Sequence, residues 1–145
     1  MCIRDRDNDS VQITVTAASD MYISAFQYLP EKEEGNVQRI FPNQLQWEAF
    51  VKAGQVLNIP DSDSAHGYRL AMRLPKKADR VAEALMLVAT KKEVTFPERM
   101  SLSEFHRILA EIPLDDRREA NFPYLIVKKG ADHLINGSGL VQFQK

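Results

Sequence analysis

Short apolar runs stopped by prolines constrain this chain more than any other feature. "VQITVTA" sets Val11, Ile13, Val15 and Ala17 on one side and Gln12, Thr14 and Thr16 on the other, the period of two that marks a strand with one buried face. The aromatic and β-branched run "MYISAFQYL" ends at Pro30, "VQRIF" at Pro42 and "QVLNI" at Pro60. Proline fixes its own φ and brings no amide hydrogen to a ladder, so each run must stop there. Ala18-Ser19-Asp20 supplies turn residues, and the first two runs are expected to pair as a hairpin. Gly35 is expected in a left-handed conformation, and Ala53-Gly54 permits a tight turn into the fourth run. A fifth strand, "YRLAMRL", alternates Leu70, Met72 and Leu74 with Arg69, Ala71 and Arg73.

The next segment, "ADRVAEALMLVATKK", reads two ways. Val81, Leu85 and Val88 fit one helical face and the residues are good helix formers, whereas Leu85 to Thr90 is a compact apolar run suited to a strand buried on both sides. Periodicity alone leaves the choice open. "SLSEFHRILAEI" is a clear helix, with Ser101 and Glu104 in a capping box and Leu102, Phe105, Ile108, Leu109 and Ile112 on one stripe. Pro113 closes it. "FPYLIVKK" and the weaker "INGSGLVQFQ" read as final strands.

At 145 residues the chain has the size of one domain, and 44% hydrophobic with 27% charged residues is ordinary for a globular protein. The formal net charge is -1 and basic residues come as scattered pairs such as Lys76-Lys77 and Arg117-Arg118, so no cationic stripe addresses nucleic acid or anionic lipid. Cys2 is the only cysteine, which excludes an internal disulfide. No apolar run reaches the roughly 18 residues of a membrane helix, so membrane insertion by this segment is not expected. Residues 1–10, "MCIRDRDNDS", lack both an apolar signal-peptide core and any periodicity and are expected to be a disordered leader. "MCIRDR" also resembles adapter sequence carried into translated environmental reads; on that reading the leader is not native, and any signal peptide, anchor or catalytic domain lies upstream. Residues 11–145 are then one accessory domain.

The ordered trio Phe41-Pro42-Asn43, Ala53-Gly54 to Ile59-Pro60, and Leu87-Val88-Ala89-Thr90, set among "VQITVTAASDMYISAFQY" and "GYRLAMRLP", resembles the bacterial domain of unknown function 4384 over Val11 to Ile112. One departure is Pro75, followed by Lys76-Lys77-Ala78-Asp79 where family members usually carry a glycine-bearing turn. The resemblance implies that Ala84 to Thr90 is a strand. It also implies an accessory module of bacterial multidomain or envelope proteins, found beside caspase-like peptidase or kinase domains, with no catalytic residues to transfer. It favours the periplasm or cell envelope over other compartments.

The chemical motifs are sparse. Asp61 and Asp63 open like a calcium loop, but Ala65 and His66 stand where a ligand and the turn glycine belong. His66, His106 and His133 lack zinc-ligand spacing, and Asn136–Gly139 lacks both the nucleophile-elbow frame and a Walker lysine. Asp115-Asp116-Arg117-Arg118 reads as a solvated surface. No catalytic, cofactor-binding or metal-ligating residue is assigned, and no cofactor is expected. Trp47 and Phe50, in "QLQWEAFVK", are the candidate partner contacts, although the general burial of aromatics favours core packing for both. The expected fold is mainly β with one packed helix, a sandwich of six or seven mostly antiparallel strands, or α+β if further helices form. The expected function is noncatalytic interaction or scaffolding with a protein partner, including linked domains of a parent chain, and without nucleic acid. Two alternatives stand beside it. A carbohydrate-binding envelope module would need a row of exposed aromatics drawn from Trp47, Tyr68 and Tyr124. An enzyme would need a site assembled from distant residues.

Overall fold

The segment that read two ways is the central strand. In the computed structural model, which describes residues 9–61, 68, 70–72, 74, 79–127 and 141–144, β8 spans Arg80–Thr90. Val81 and Leu85 face one side of the sheet, where they join Ile23, Ala25, Tyr124 and Ile126. Met86 and Val88 face the other with Phe26, Val37, Phe96 and Phe105. Apolar side chains are needed on both faces, which is why the segment lacks the alternation of a half-buried strand.

Around it lies a seven-stranded sheet in the order β11 (Val141–Gln144), β10 (Arg117–Val127), β8, β3 (Met21–Tyr28), β4 (Val37–Phe41), β9 (Arg99–Met100), with β5 (Phe50–Val51) also paired to β3. All pairings are antiparallel except β10 with β11. Two ribbons complete the strands: β1 (Asp9–Val11) with β7 (Leu70–Met72), and β2 (Ile13–Thr16) with β6 (Val56–Ile59). The β2–β6 ribbon turns Ile13 and Ile59, backed by Val15 and Leu57, onto the first face of the sheet. On the opposite face lies α1 (Leu102–Ala110), which buries Phe105 and Leu109. Phe105 and Phe96 each meet Phe26 edge-on, with centroids 4.9 Å apart. The result is the expected mainly β fold with one packed helix.

Three expectations change. The first two runs do not form a hairpin: β2 pairs with β6, because its apolar side covers the large sheet rather than extending it. Asp20, in the expected turn, instead accepts a 2.8 Å hydrogen bond from the Ala53 amide. Of the expected leader, Asp9 and Ser10 pair with Met72 and Ala71, and residues 1–8 lie outside the described residues. Arg117 is no free surface charge. Only 15% exposed, its side chain donates from Nη1 to the carbonyls of Leu109 (2.6 Å) and Ile112 at the end of α1, and pairs through Nε with Glu119 at 3.0 Å. A cation there satisfies the orphan carbonyls of the helix end and complements its dipole.

Candidate functional site

The loop between β4 and β5 leaves and rejoins the same strand. β4 pairs with β3 from Ala25 to Tyr28, and β5 pairs with it at Met21 and Tyr22. Residues 42–49 therefore bulge from the sheet between two fixed anchor points, and the Ala49 carbonyl closes the excursion on the Ile23 amide at 2.9 Å. The first anchor lies where Pro42 ends the ladder, after a cis Phe41-Pro42 bond.

Inside the loop the backbone is held by side chains. Asn43 Oδ1 accepts from the amides of Leu45 (2.9 Å) and Gln46 (2.8 Å), while its Nδ2 donates to the Ile40 carbonyl at 2.8 Å. This is the local pairing that makes asparagine a turn residue. Gln46 reaches to the end of β6: Nε2 donates to the Asn58 carbonyl at 2.8 Å, and Oε1 accepts from the Asp61 amide at 3.1 Å and from the Tyr68 hydroxyl. Arg39 donates to the carbonyls of Pro42 (3.0 Å) and Phe96. Burial pushes the Tyr68 phenol up.

On this frame Trp47 is 74% exposed, Leu45 42% and Phe50 36%. The expectation of core packing fails for Trp47, whose neighbours Gln46 and Asn43 hold the loop outward. Phe50 is half covered, its ring 5.2 Å from that of Tyr22. The loop is a ridge between clefts. One of about 630 Å3 is lined by Leu45, Trp47, Phe50 and Leu57 and bordered by Glu48, Lys52 and Asp61. Another, of about 430 Å3, runs along Arg39, Asn43, Leu45, Tyr68 and Glu98. A narrow gap of about 80 Å3 separates Trp47 from Glu93 and Phe96.

Three of the strands carry a second, internal polar cluster. Glu83 Oε1 accepts from the Tyr124 hydroxyl at 2.7 Å and from Gln27 Nε2 at 3.2 Å, and Gln27 Nε2 also lies 2.9 Å from the Tyr124 hydroxyl. Glu83 and Tyr124 are cross-strand partners. Burial pushes the Glu83 carboxyl above its usual range against the opposing effect of the two hydrogen bonds. Burial, then the neighbouring Glu83 charge, pushes the Tyr124 phenol well above its own range. Gln38 on β4, paired with Gln27 of β3, holds a buried Nε2 with no hydrogen-bond partner among the described residues. None of the three clefts around the loop is lined by Glu83, Gln27 or Tyr124. Tyr124 is fully buried in the core, so it offers no ring to a glycan-binding face.

The remaining candidates are scattered. His106 is exposed on α1, with its ring 6.0 Å from that of Phe105. Asp63, His66, His133 and Asn136–Gly139 lie outside the described residues. Among the described residues no group of three or more His, Cys, Asp or Glu side chains converges, and no helix is long and apolar enough to cross a membrane. The Glu83 cluster had no sequence signal, since Gln27 and Tyr124 lie 97 positions apart. For Gln46 there was likewise none.

No curated protein and no solved structure matches the chain. A family match covers residues 6–93, from the leader through β8. It stops short of α1, which the sequence resemblance had included, so the helix and the β10 strand beside β8 lie beyond it. The match spans more than half of the chain, and the protein belongs to the family described as Domain of unknown function (DUF4384).

Proposed function

We propose that this domain is a noncatalytic interaction module that presents the 42–49 ridge to a protein partner, in the setting of a bacterial multidomain or envelope protein. The observation that carries this reading is the exposure of Trp47 on a loop held at both ends and pinned within by Asn43 and Gln46. Tryptophan is the side chain most often found at the energetic centre of protein interfaces. A loop already fixed before binding loses little entropy on docking. The partner is another protein or another domain of a parent chain. A glycan is the weaker choice, because Tyr124, one of the aromatics expected beside Trp47 on such a face, is buried. An enzymatic reading rests on the Glu83–Tyr124–Gln27 cluster, which faces the core and links strands.

The test is site-specific crosslinking. A photoreactive residue in place of Trp47, with the same residue at exposed His106 as control, is used to identify a protein captured at 47 alone. The purified partner is then titrated with wild type and with Trp47→Ala. The reading expects Trp47→Ala to weaken the complex about 30-fold or more, the scale of an interface hot spot. Equal affinity for both proteins, or identical captures from positions 47 and 106, overturns it.

A further inference from the structure

Charge around the ridge is lopsided. Glu48 and Asp61 border the larger cleft, Glu98 the second and Glu93 the gap beneath Trp47. All four are exposed. Among the described residues that line the clefts, the cations are exposed Lys52 and half-buried Arg39, and Arg39 already donates to the Pro42 and Phe96 carbonyls. Glu48, Glu93 and Glu98 make no ion pair among the described residues. The whole chain carries a formal net charge of only -1, so these carboxylates are not the mark of a generally acidic chain. The apolar side chains Leu45, Trp47 and Phe50 stand inside that acidic rim.

We infer that the segment docking here is basic: a stretch of partner chain with lysine or arginine on either side of an apolar side chain. The apolar group covers Trp47 and Leu45, where removing apolar area from water supplies affinity, and the flanking cations meet Glu48 and Glu98 in the clefts on the two sides of the loop. Complementary rim charges chiefly raise the encounter rate and reject partners of the wrong sign. An acidic segment would place like charges together along the rim. This inference rests on the interaction-module reading and adds the chemistry of the partner to it.

Trp47 is the only tryptophan in the chain, so its emission reports occupancy of the ridge directly. Three synthetic peptides of equal length serve as probes: alternating lysine and leucine, alternating glutamate and leucine, and lysine alone. The lysine–leucine peptide is expected to shift the emission to the blue in a saturable way that weakens as salt rises, and the other two to leave it unchanged. The triple variant Glu48→Gln, Glu93→Gln, Glu98→Gln should bind that peptide about tenfold more weakly, since several exposed charge pairs are lost together. A control triple variant at the exposed carboxylates Glu31, Glu33 and Glu34, outside the clefts, should bind as wild type does. Circular dichroism confirms that both variants are folded.

Equal binding of the glutamate–leucine peptide, an unaffected ridge triple variant, or equal weakening by the control variant overturns the inference. So does a full response to lysine alone, or no response to any peptide. In each case a partner crosslinked at position 47 and lost with Trp47→Ala leaves the interaction-module reading standing, so the two failures are distinguishable.

Discussion

Replacing Trp47 with alanine should leave the fold almost intact, and the expected loss follows from its exposure. A tryptophan side chain has about 250 Å2 to bury. With 74% of Trp47 exposed, roughly a quarter of that, near 65 Å2, is out of water, and at about 25 cal/mol per Å2 its removal costs at most about 1.6 kcal/mol. That is an upper bound, because the unfolded chain already shields part of the same surface. The assay is urea denaturation followed by far-ultraviolet circular dichroism, since the variant has no tryptophan fluorescence to follow. The midpoint should move by no more than this amount implies, with an unchanged slope. Asn43 and Gln46 fix the loop through backbone groups that the substitution does not touch, so the clefts should persist. A loss above about 3 kcal/mol, the range of a buried aromatic truncated to alanine, would mean that Trp47 is a core residue. The ridge would then have no exposed anchor for a partner.

Phe105→Ala should cost about 3–4 kcal/mol, because the ring is 3% exposed and packs edge-on against Phe26. Arg107→Ala, whose exposed side chain pairs with Glu104 and Glu111, should cost well under about 1 kcal/mol, and equal losses in thermal melts would refute the orientation of α1. Gly54→Val should cost about 2 kcal/mol by denaturation: φ is +80° and an added Cβ meets nothing within 4 Å, so the penalty comes from the left-handed backbone alone. Glu83→Gln tests the internal cluster by pH. The folded-state carboxyl titrates above its unfolded value, so its favourable contribution is full below the unfolded pKa and is lost as pH rises through the folded one. Wild type should therefore gain stability relative to the variant as pH falls through the range just above the usual carboxylate pKa, and a stability difference that is flat or moves the other way in urea midpoints would show that burial does not dominate at Glu83.

The strands were legible wherever one face is wet. Ile13, Val15 and Ala17 alternate with Gln12, Thr14 and Thr16 because β2 covers the sheet with one side only. What alternation does not carry is the partner. Two neighbouring apolar runs can pair edge to edge as a hairpin or stack face to face from different layers, and both arrangements bury the same residues. β2 and β3 stack, and the partner of β2 is β6, more than 40 positions along the chain, with Thr14 donating to Asn58 at 3.0 Å across the ribbon. Local preference failed at β8 for a related reason. Its alanines, leucines and glutamate suit a helix, but a strand between β3 and β10 must be apolar on both faces, and tertiary packing overrides propensity there. The short strands β1, β5 and β9, two or three residues each, are too brief to have a period at all.

The site was half legible, and the division falls along the difference between backbone and side-chain constraints. Pro42, Asn43, Gly54 and Pro60 announce where the chain turns, because each has a conformational requirement that belongs to the residue itself; the structure places all four at turns or strand ends. Whether Trp47 points into the core or out of it is set by Gln46 holding the end of β6 and by Ala49 closing on Ile23, contacts made 12 and 26 positions away. A burial scale can weigh only the residue, and for tryptophan it favours the interior. The same limit hid Arg117, which reads in sequence as one of a solvated pair with Arg118. Its position is decided by the short turn Leu114–Asp116, which folds the start of β10 back onto the end of α1, where two carbonyls need a donor. Residues that act through their own backbone are thus visible in a sequence, while those that act through a side-chain partner become visible only once the fold has fixed which groups are neighbours.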